Sequence, residues 1–150
     1  MITVTKPALL CDTGLLSRVF LAKPPFLEAY QRAIEQYQET ISTAVFIELQ
    51  HWLLIQRGLA MPISRAEYDR HRKRLDNYIV LNSDGVSEQA LAVARRWPDT
   101  GVGDAYTIGT ALVFDVPVFT LNPKHFERMK GITLYKPENY QQLLQSTRRI

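Results

Sequence analysis

Apolar residues along this chain fall into short runs and helix-spaced stripes that alternate from one end to the other. Residues 7–11 form an apolar run ending at Asp12-Thr13-Gly14, the pattern of a buried strand entering a turn. A helix is predicted over 15–22. Beyond Pro24-Pro25, which suits a helix start, Phe26, Leu27, Tyr30, Ala33, Ile34 and Tyr37 recur at helical spacing and predict an amphipathic helix over 26–37. The β-branched stretch 40–43 predicts a strand, and the long apolar stretch 44–57 a buried helix ended by Gly58.

Ser64, with Glu67 three residues on, has the capping-box pattern and predicts a charged helix over 64–76. A strand over 78–81 follows, then a helix over 87–97 with Ser87 as its cap and Ala90, Leu91 and Ala94 at helical spacing. Residues 104–114 predict another helix, and 116–121 a strand entered at Asp115 and stopped by Asn122-Pro123. A short helix over 124–130 closed by Gly131, a last strand over 132–135 and a terminal helix over 138–145 complete the series. Strands alternating with helices imply an α/β fold, a largely parallel central sheet flanked by helices on both faces. No repeat, low-complexity tract or linker interrupts the pattern, so residues 1–150 read as a single domain.

Composition narrows the class of protein. A chain of 150 residues can bury a core without disulfides, and 46% hydrophobic with 22% charged residues is ordinary for a globular domain. The apolar stretch 43–55 is interrupted by Glu48, Gln50 and His51, and none approaches the ~20 residues a spanning helix needs. The N-terminus lacks a signal-peptide pattern and Cys11 is the sole cysteine, so a reducing cytoplasm is the expected address. The net charge of +3 permits nucleic-acid binding. Basic residues gather at Arg65, Arg70, Arg72, Lys73 and Arg74, at Arg95 and Arg96, and at Lys124, Arg128 and Lys130, each group equally readable as a solvated helix face.

Sites in open α/β sheets form beyond the carboxyl ends of the strands, and Asp12, Glu48, Asp104 and Asn122 can all reach one such edge. Glu48 has Val45, Trp52 and Ile55 at i−3, i+4 and i+7, so it reads as a carboxylate on an apolar face, which needs compensation. Asp12 and Asn122 also suit turns, and Asp104, or Asp99 a turn earlier, suits a helix cap. Three gathered carboxylates raise one another's pKa values unless a cation neutralises them. All-oxygen donors favour Mg²⁺ or Mn²⁺ over zinc, and His51, His71 and His125 are scattered enough to read as structural or exposed. No Gly-rich phosphate loop, nucleophile elbow or activated cysteine is evident. Asp12-Thr13-Gly14 also matches the aspartic-protease tripeptide, but that family is built almost wholly of strands and this chain is rich in helical patterns.

Four segments carry a family resemblance. They are Leu9-Leu10-Cys11-Asp12-Thr13-Gly14-Leu15-Leu16, Ile41-Ser42-Thr43-Ala44-Val45-Phe46-Ile47-Glu48-Leu49, Gly103-Asp104-Ala105-Tyr106-Thr107-Ile108-Gly109-Thr110-Ala111-Leu112, and Val116-Pro117-Val118-Phe119-Thr120-Leu121-Asn122-Pro123-Lys124-His125-Phe126. Together they resemble PIN domains, in particular the toxin ribonucleases of the bacterial toxin–antitoxin systems called VapBC. Gly14 stands where asparagine or serine is more usual, and His125 where an acid commonly precedes the phenylalanine. The resemblance implies a PIN fold and an endoribonuclease dependent on Mg²⁺, or Mn²⁺ in its place. It implies Asp12, Glu48 and Asp104 as catalytic and metal-holding acids, with Asn122 as a further ligand. Thr13, Arg95, Arg96, Thr120 and Lys124 are the residues expected to bind the RNA substrate. A small antitoxin partner and a homodimer, formed partly through the helix over 26–37, are expected as well. A PIN nuclease outside any toxin pair, or a non-catalytic RNA-binding module of the same fold, would show the same pattern.

Overall fold

Four short strands pair in parallel in the order β3-β2-β1-β4, with β1 (Ala8–Cys11), β2 (Gln38–Ser42), β3 (Ile79–Leu81) and β4 (Val118–Phe119). The computed structural model describes residues 5–59 and 63–147, so the reading of residues 1–4 as lacking a signal peptide lies outside it. Side chains alternate across the sheet: Leu9, Cys11 and Phe119 enter one hydrophobic core and Leu10 and Val118 the other. Burial on both faces is why β1 reads as an unbroken apolar run and not as an alternating one.

Helices cover both faces. The first core takes side chains from α1 (Thr13–Phe20), α2 (Pro24–Gln36), α3 (Thr43–Gly58), α4 (Arg65–Asp76) and α8 (Tyr140–Thr147). The second takes them from α5 (Asp84–Arg96), α6 (Val102–Phe114) and α7 (Pro123–Glu127). Local chemistry starts several of these helices. Asp12 accepts the Leu15 N–H to cap α1, Ser42 accepts the Val45 N–H to cap α3, and Ser64 with Glu67 forms the expected capping box on α4.

The expected elements are present with altered limits. Helix α5 begins at Asp84 with Ser83 in the cap position, so Ser87 lies inside it, and Gly85 in its first turn hides that start from a propensity argument. The strand expected over 116–121 narrows to Val118–Phe119, because the Thr120 carbonyl is taken by the Tyr140 hydroxyl at 2.6 Å and no longer serves the ladder. The strand expected over 132–135 is reduced to a parallel bridge between Val118 and Leu134. Helix α7 stops at Glu127, and α8 runs over Tyr140–Thr147, two residues later than expected.

The apolar stripe of α2 packs on the protein's own core. Phe26, Ala29, Tyr30 and Ala33 are buried in the protein's own core, with Leu27, Ile34 and Tyr37 packed at its margin. Buried Tyr30 also meets Tyr78 hydroxyl to hydroxyl at 2.9 Å. The aromatic and aliphatic positions of this helix are thus largely accounted for within one chain, with Leu27, Ile34 and Tyr37 partly buried.

Candidate active site

A cleft of about 340 Å³ opens at the carboxyl edge of the sheet, lined by Asp12, Glu48 and Asp104 together with Asn122, Thr13, Arg18 and Thr107. Each acid arrives on a different element: Asp12 directly after β1, Glu48 in the second turn of α3, and Asp104 in the first turn of α6. Parallel strands bring these element junctions to one edge, so residues far apart in sequence meet there.

Asp12 is the buried member, 7% exposed. One carboxylate oxygen accepts the Leu15 N–H at 3.0 Å, and the other accepts the Thr120 hydroxyl in a short hydrogen bond. Burial, with like charge from Asp104 and Glu48, pushes the carboxyl up to about 6, although both hydrogen bonds oppose the shift. No cationic side chain among the described residues forms an ion pair with Asp12.

The raised value makes stability depend on pH. The folded protein holds the Asp12 proton more tightly than an unfolded aspartate near 3.8 does, so the contribution is complete below about pH 4 and is lost as pH rises through about 6. Metal-free wild type should therefore lose about 2 kcal/mol, relative to Asp12→Asn, between about pH 4 and pH 7. Denaturant titrations of both proteins at the two pH values check this, and a constant difference would remove Asp12 as the cause.

Glu48 differs from the sequence reading. It is exposed, because the core face of α3 is formed by Val45, Leu49 and Leu53, while Ile55 is itself 47% exposed. Its place in the cleft is set by contacts: Thr13 donates its hydroxyl to Glu48 Oε1 at 2.9 Å, and Gly103 lies against the carboxylate. A β-carbon at position 103 would fall 2.9 Å from Glu48 Oε2, so the absent side chain leaves room for the acid beside Asp104.

Asp104 meets two side chains from the segment after β4. The Asn122 amide nitrogen donates to Asp104 Oδ2 at 3.2 Å, and His125 Nδ1 lies 2.9 Å from the same oxygen. The Asn122 backbone N–H is bound to the Thr120 hydroxyl at 3.0 Å, which ties this segment to Asp12 as well. Asn122 thus turns its amide nitrogen, not its oxygen, towards the acid, and it makes no side-chain cap on α7. His125, expected to be structural or exposed, joins the site because the single turn of α7 sets it three residues from Asn122.

The residues expected to touch substrate divide. Thr13 lines the cleft, and Lys124 lines an adjoining hollow that shares Leu121, Asn122 and Thr147 with it. Thr120 has no exposure at all, since its hydroxyl is engaged by Asp12 and the Asn122 N–H, so it positions the acid and cannot reach a substrate. Arg95 and Arg96, in the last turn of α5, do not line the cleft, and Arg96 lies over the Trp97 ring. Arg18 was not anticipated: it is one of several basic residues in the sequence, and only the fold brings it to the wall.

The donors fit a hard divalent cation. All three acids present oxygen, their charges accumulate in one cleft, and the buried Asp12 carboxylate has no cationic partner there. As the side chains stand, no three His, Cys, Asp or Glu groups among the described residues are close enough to enclose an ion. Each acid is instead drawn to its own wall of the cleft, Asp12 by Thr120, Glu48 by Thr13 and Asp104 by Asn122 and His125.

No protein-family model and no curated relative matches the chain in sequence. The likeness is in three dimensions. A VapBC-1 structure from nontypeable Haemophilus influenzae superposes with a TM-score of 0.67 at 16% identity, covering 85% of this chain and 96% of that one. DNA-bound VapBC from Salmonella typhimurium gives 0.65 at 17% identity over 86% and 97%. PAE2754 from Pyrobaculum aerophilum gives 0.63 at 18% identity over 97% and 100%. Among the described residues no helix is long and apolar enough to cross a membrane. With the parallel sheet, the flanking helices and near-complete coverage of these structures, the chain has the α/β fold of the VapC-like PIN domains.

Proposed function

We propose that this chain is a divalent-metal-dependent endoribonuclease that hydrolyses RNA phosphodiester bonds and acts as the toxin of a toxin–antitoxin pair. The observation that carries the reading is the convergence of Asp12, Glu48 and Asp104, from three separate elements, on one cleft with the Asp12 carboxylate buried and without an ion-pair partner among the described residues. Asp12, Glu48 and Asp104 would hold Mg²⁺, or Mn²⁺ in its place, which when bound supplies an activated nucleophile at neutral pH and offsets charge on the leaving oxygen. The chain's own residues do the positioning. Thr120 and the Leu15 N–H hold Asp12, Thr13 steadies Glu48, and Asn122 and His125 orient Asp104. Asn122 serves in this reading as a support for Asp104 as well as a candidate auxiliary ligand.

Lys124, beside the cleft, is suited to hold the RNA backbone, whereas Arg95 and Arg96 sit outside it. The antitoxin partner is supported by the similar structures, several of which are toxin–antitoxin complexes. A homodimer remains part of the proposal, and light scattering at micromolar concentration tests it. The test of the activity is cleavage of single-stranded RNA with Mn²⁺, abolished by EDTA and restored by added metal. Cleavage that persists in EDTA, or none with Mn²⁺, refutes the metal-dependent reading.

A further inference from the structure

Among the described residues, Arg18 is the single cationic residue lining the acidic cleft. It is half-buried, and its Nη1 donates to the Gly14 carbonyl at 2.8 Å while the guanidinium lies over the Phe26 ring at 5.5 Å. These two contacts hold the fork in place. With Asp12, Glu48 and Asp104 in the same cleft, a nearby arginine would ordinarily take a carboxylate, yet among the described residues Arg18 forms no ion pair. Its remaining N–H donors have no hydrogen-bond partner among those residues.

Gly14 gives this arrangement an opening. A β-carbon there would stand 3.8 Å from Arg18 Nη1 and 3.8 Å from Asp12 Oδ1, so the glycine lies beside both groups and places no side chain in the space. A planar guanidinium, held by one edge on the wall of a cleft that also holds three acids, leaves its remaining N–H donors in the fork that suits a phosphate.

We propose that Arg18 is a contact for a backbone phosphate of the RNA strand, entering over Gly14 and held through a non-bridging oxygen; this rests on the ribonuclease reading. Arg18 selects no base by this contact. It sets where the strand lies relative to Asp12, and it adds affinity that is sensitive to salt.

The test is binding of a fluorescein-labelled single-stranded RNA by anisotropy in EDTA, across a range of salt, for the whole chain and for Arg18→Ala and Arg18→Lys. Arg18→Ala should weaken binding about 10-fold. It should also flatten the slope of log affinity against log salt by about 0.7. Arg18→Lys should keep that slope while losing part of the affinity, because it retains the charge and loses the fork. In Mn²⁺-supported cleavage, Arg18→Ala should raise KM far more than it lowers kcat. An unchanged slope in Arg18→Ala, a slope in Arg18→Lys as flat as in Arg18→Ala, or no binding by the wild type overturns the proposal. RNA binding that depends on Arg18 in a protein that does not cleave would refute the nuclease reading and leave this contact standing. Cleavage with a KM indifferent to Arg18 would do the reverse.

Discussion

Asp104→Asn should lower Mn²⁺-dependent RNA cleavage roughly 100-fold or more, since even groups one step removed from a metal are worth 10–100-fold. The exchange removes one negative charge from the cleft and keeps side-chain size, and an asparagine oxygen can still accept from Asn122 and His125. Folding should change little. The carboxylate's favourable place in the first turn of α6 is lost, but so is its repulsion of Asp12. Asp104→Asn is a cleaner probe than Asp12→Asn, whose new amide would confront a Thr120 hydroxyl already accepting the Asn122 N–H. Asn122→Ala should cause a smaller loss that higher Mn²⁺ partly recovers, because it removes a support for Asp104 and no charge. Cleavage rate against Mn²⁺ concentration, with melting temperature measured alongside, checks both variants. Wild-type cleavage by Asp104→Asn would take this residue out of the site.

Gly109→Ala should destabilise the fold by about 2 kcal/mol, although alanine is the better helix former by about 1 kcal/mol. Gly109 is where α6 meets α5: a β-carbon would stand 2.9 Å from both the Val86 carbonyl oxygen and the Ala90 nitrogen, and 3.3 Å from Ala90 Cα. These are backbone atoms of a regular helix, so no rotamer change relieves the clash and the helices must part. The separation would be felt at Ile108 and Ala111, buried beside Val93 in the same core. A fall in melting temperature of about 6 °C is expected. Gly85→Ala is the control, because its β-carbon would meet only Val113 Cγ2 at 3.7 Å, an ordinary contact. Equal melting temperatures for the two variants would refute the close approach of α5 and α6.

What the sequence revealed tracks how local the governing interaction is. Strand β1, the Asp12 turn and the Ser64–Glu67 capping box depend on residues within a few positions of each other, and each is legible. Helical spacing sets Glu48 on an apolar face, whereas in the structure it is exposed. The face it shares with Ile55 looks outward, and a stripe of apolar residues does not by itself say which side of a helix is covered. Thr120 looks like a substrate contact in the sequence, where nothing nearby reveals its hydrogen bond to a residue 108 positions away. His125 and Arg18 are ordinary residues until the fold sets Asp104 beside the one and brings Glu48 and Asp104 to the cleft that the other lines. The edge strands were overextended because β-branched residues at 116–121 and 132–135 satisfy strand propensity, whereas the ladder ends where carbonyls find other donors.

The join between the two ends of the site bears on how the protein is made. Asp12 is held by Thr120, and the Thr120 carbonyl is held in turn by Tyr140. The central strand β1 is synthesised first among the strands, yet its neighbour β4 appears only at Val118–Phe119. A growing polypeptide therefore keeps Leu9 and Leu10 without their final neighbours through most of translation, a long-range pairing that forms late. The acids cannot be locked into register until Tyr140 has cleared the ribosome. For a protein proposed to cut RNA, the cleft is thus completed only after the segments that carry all three acids have been made.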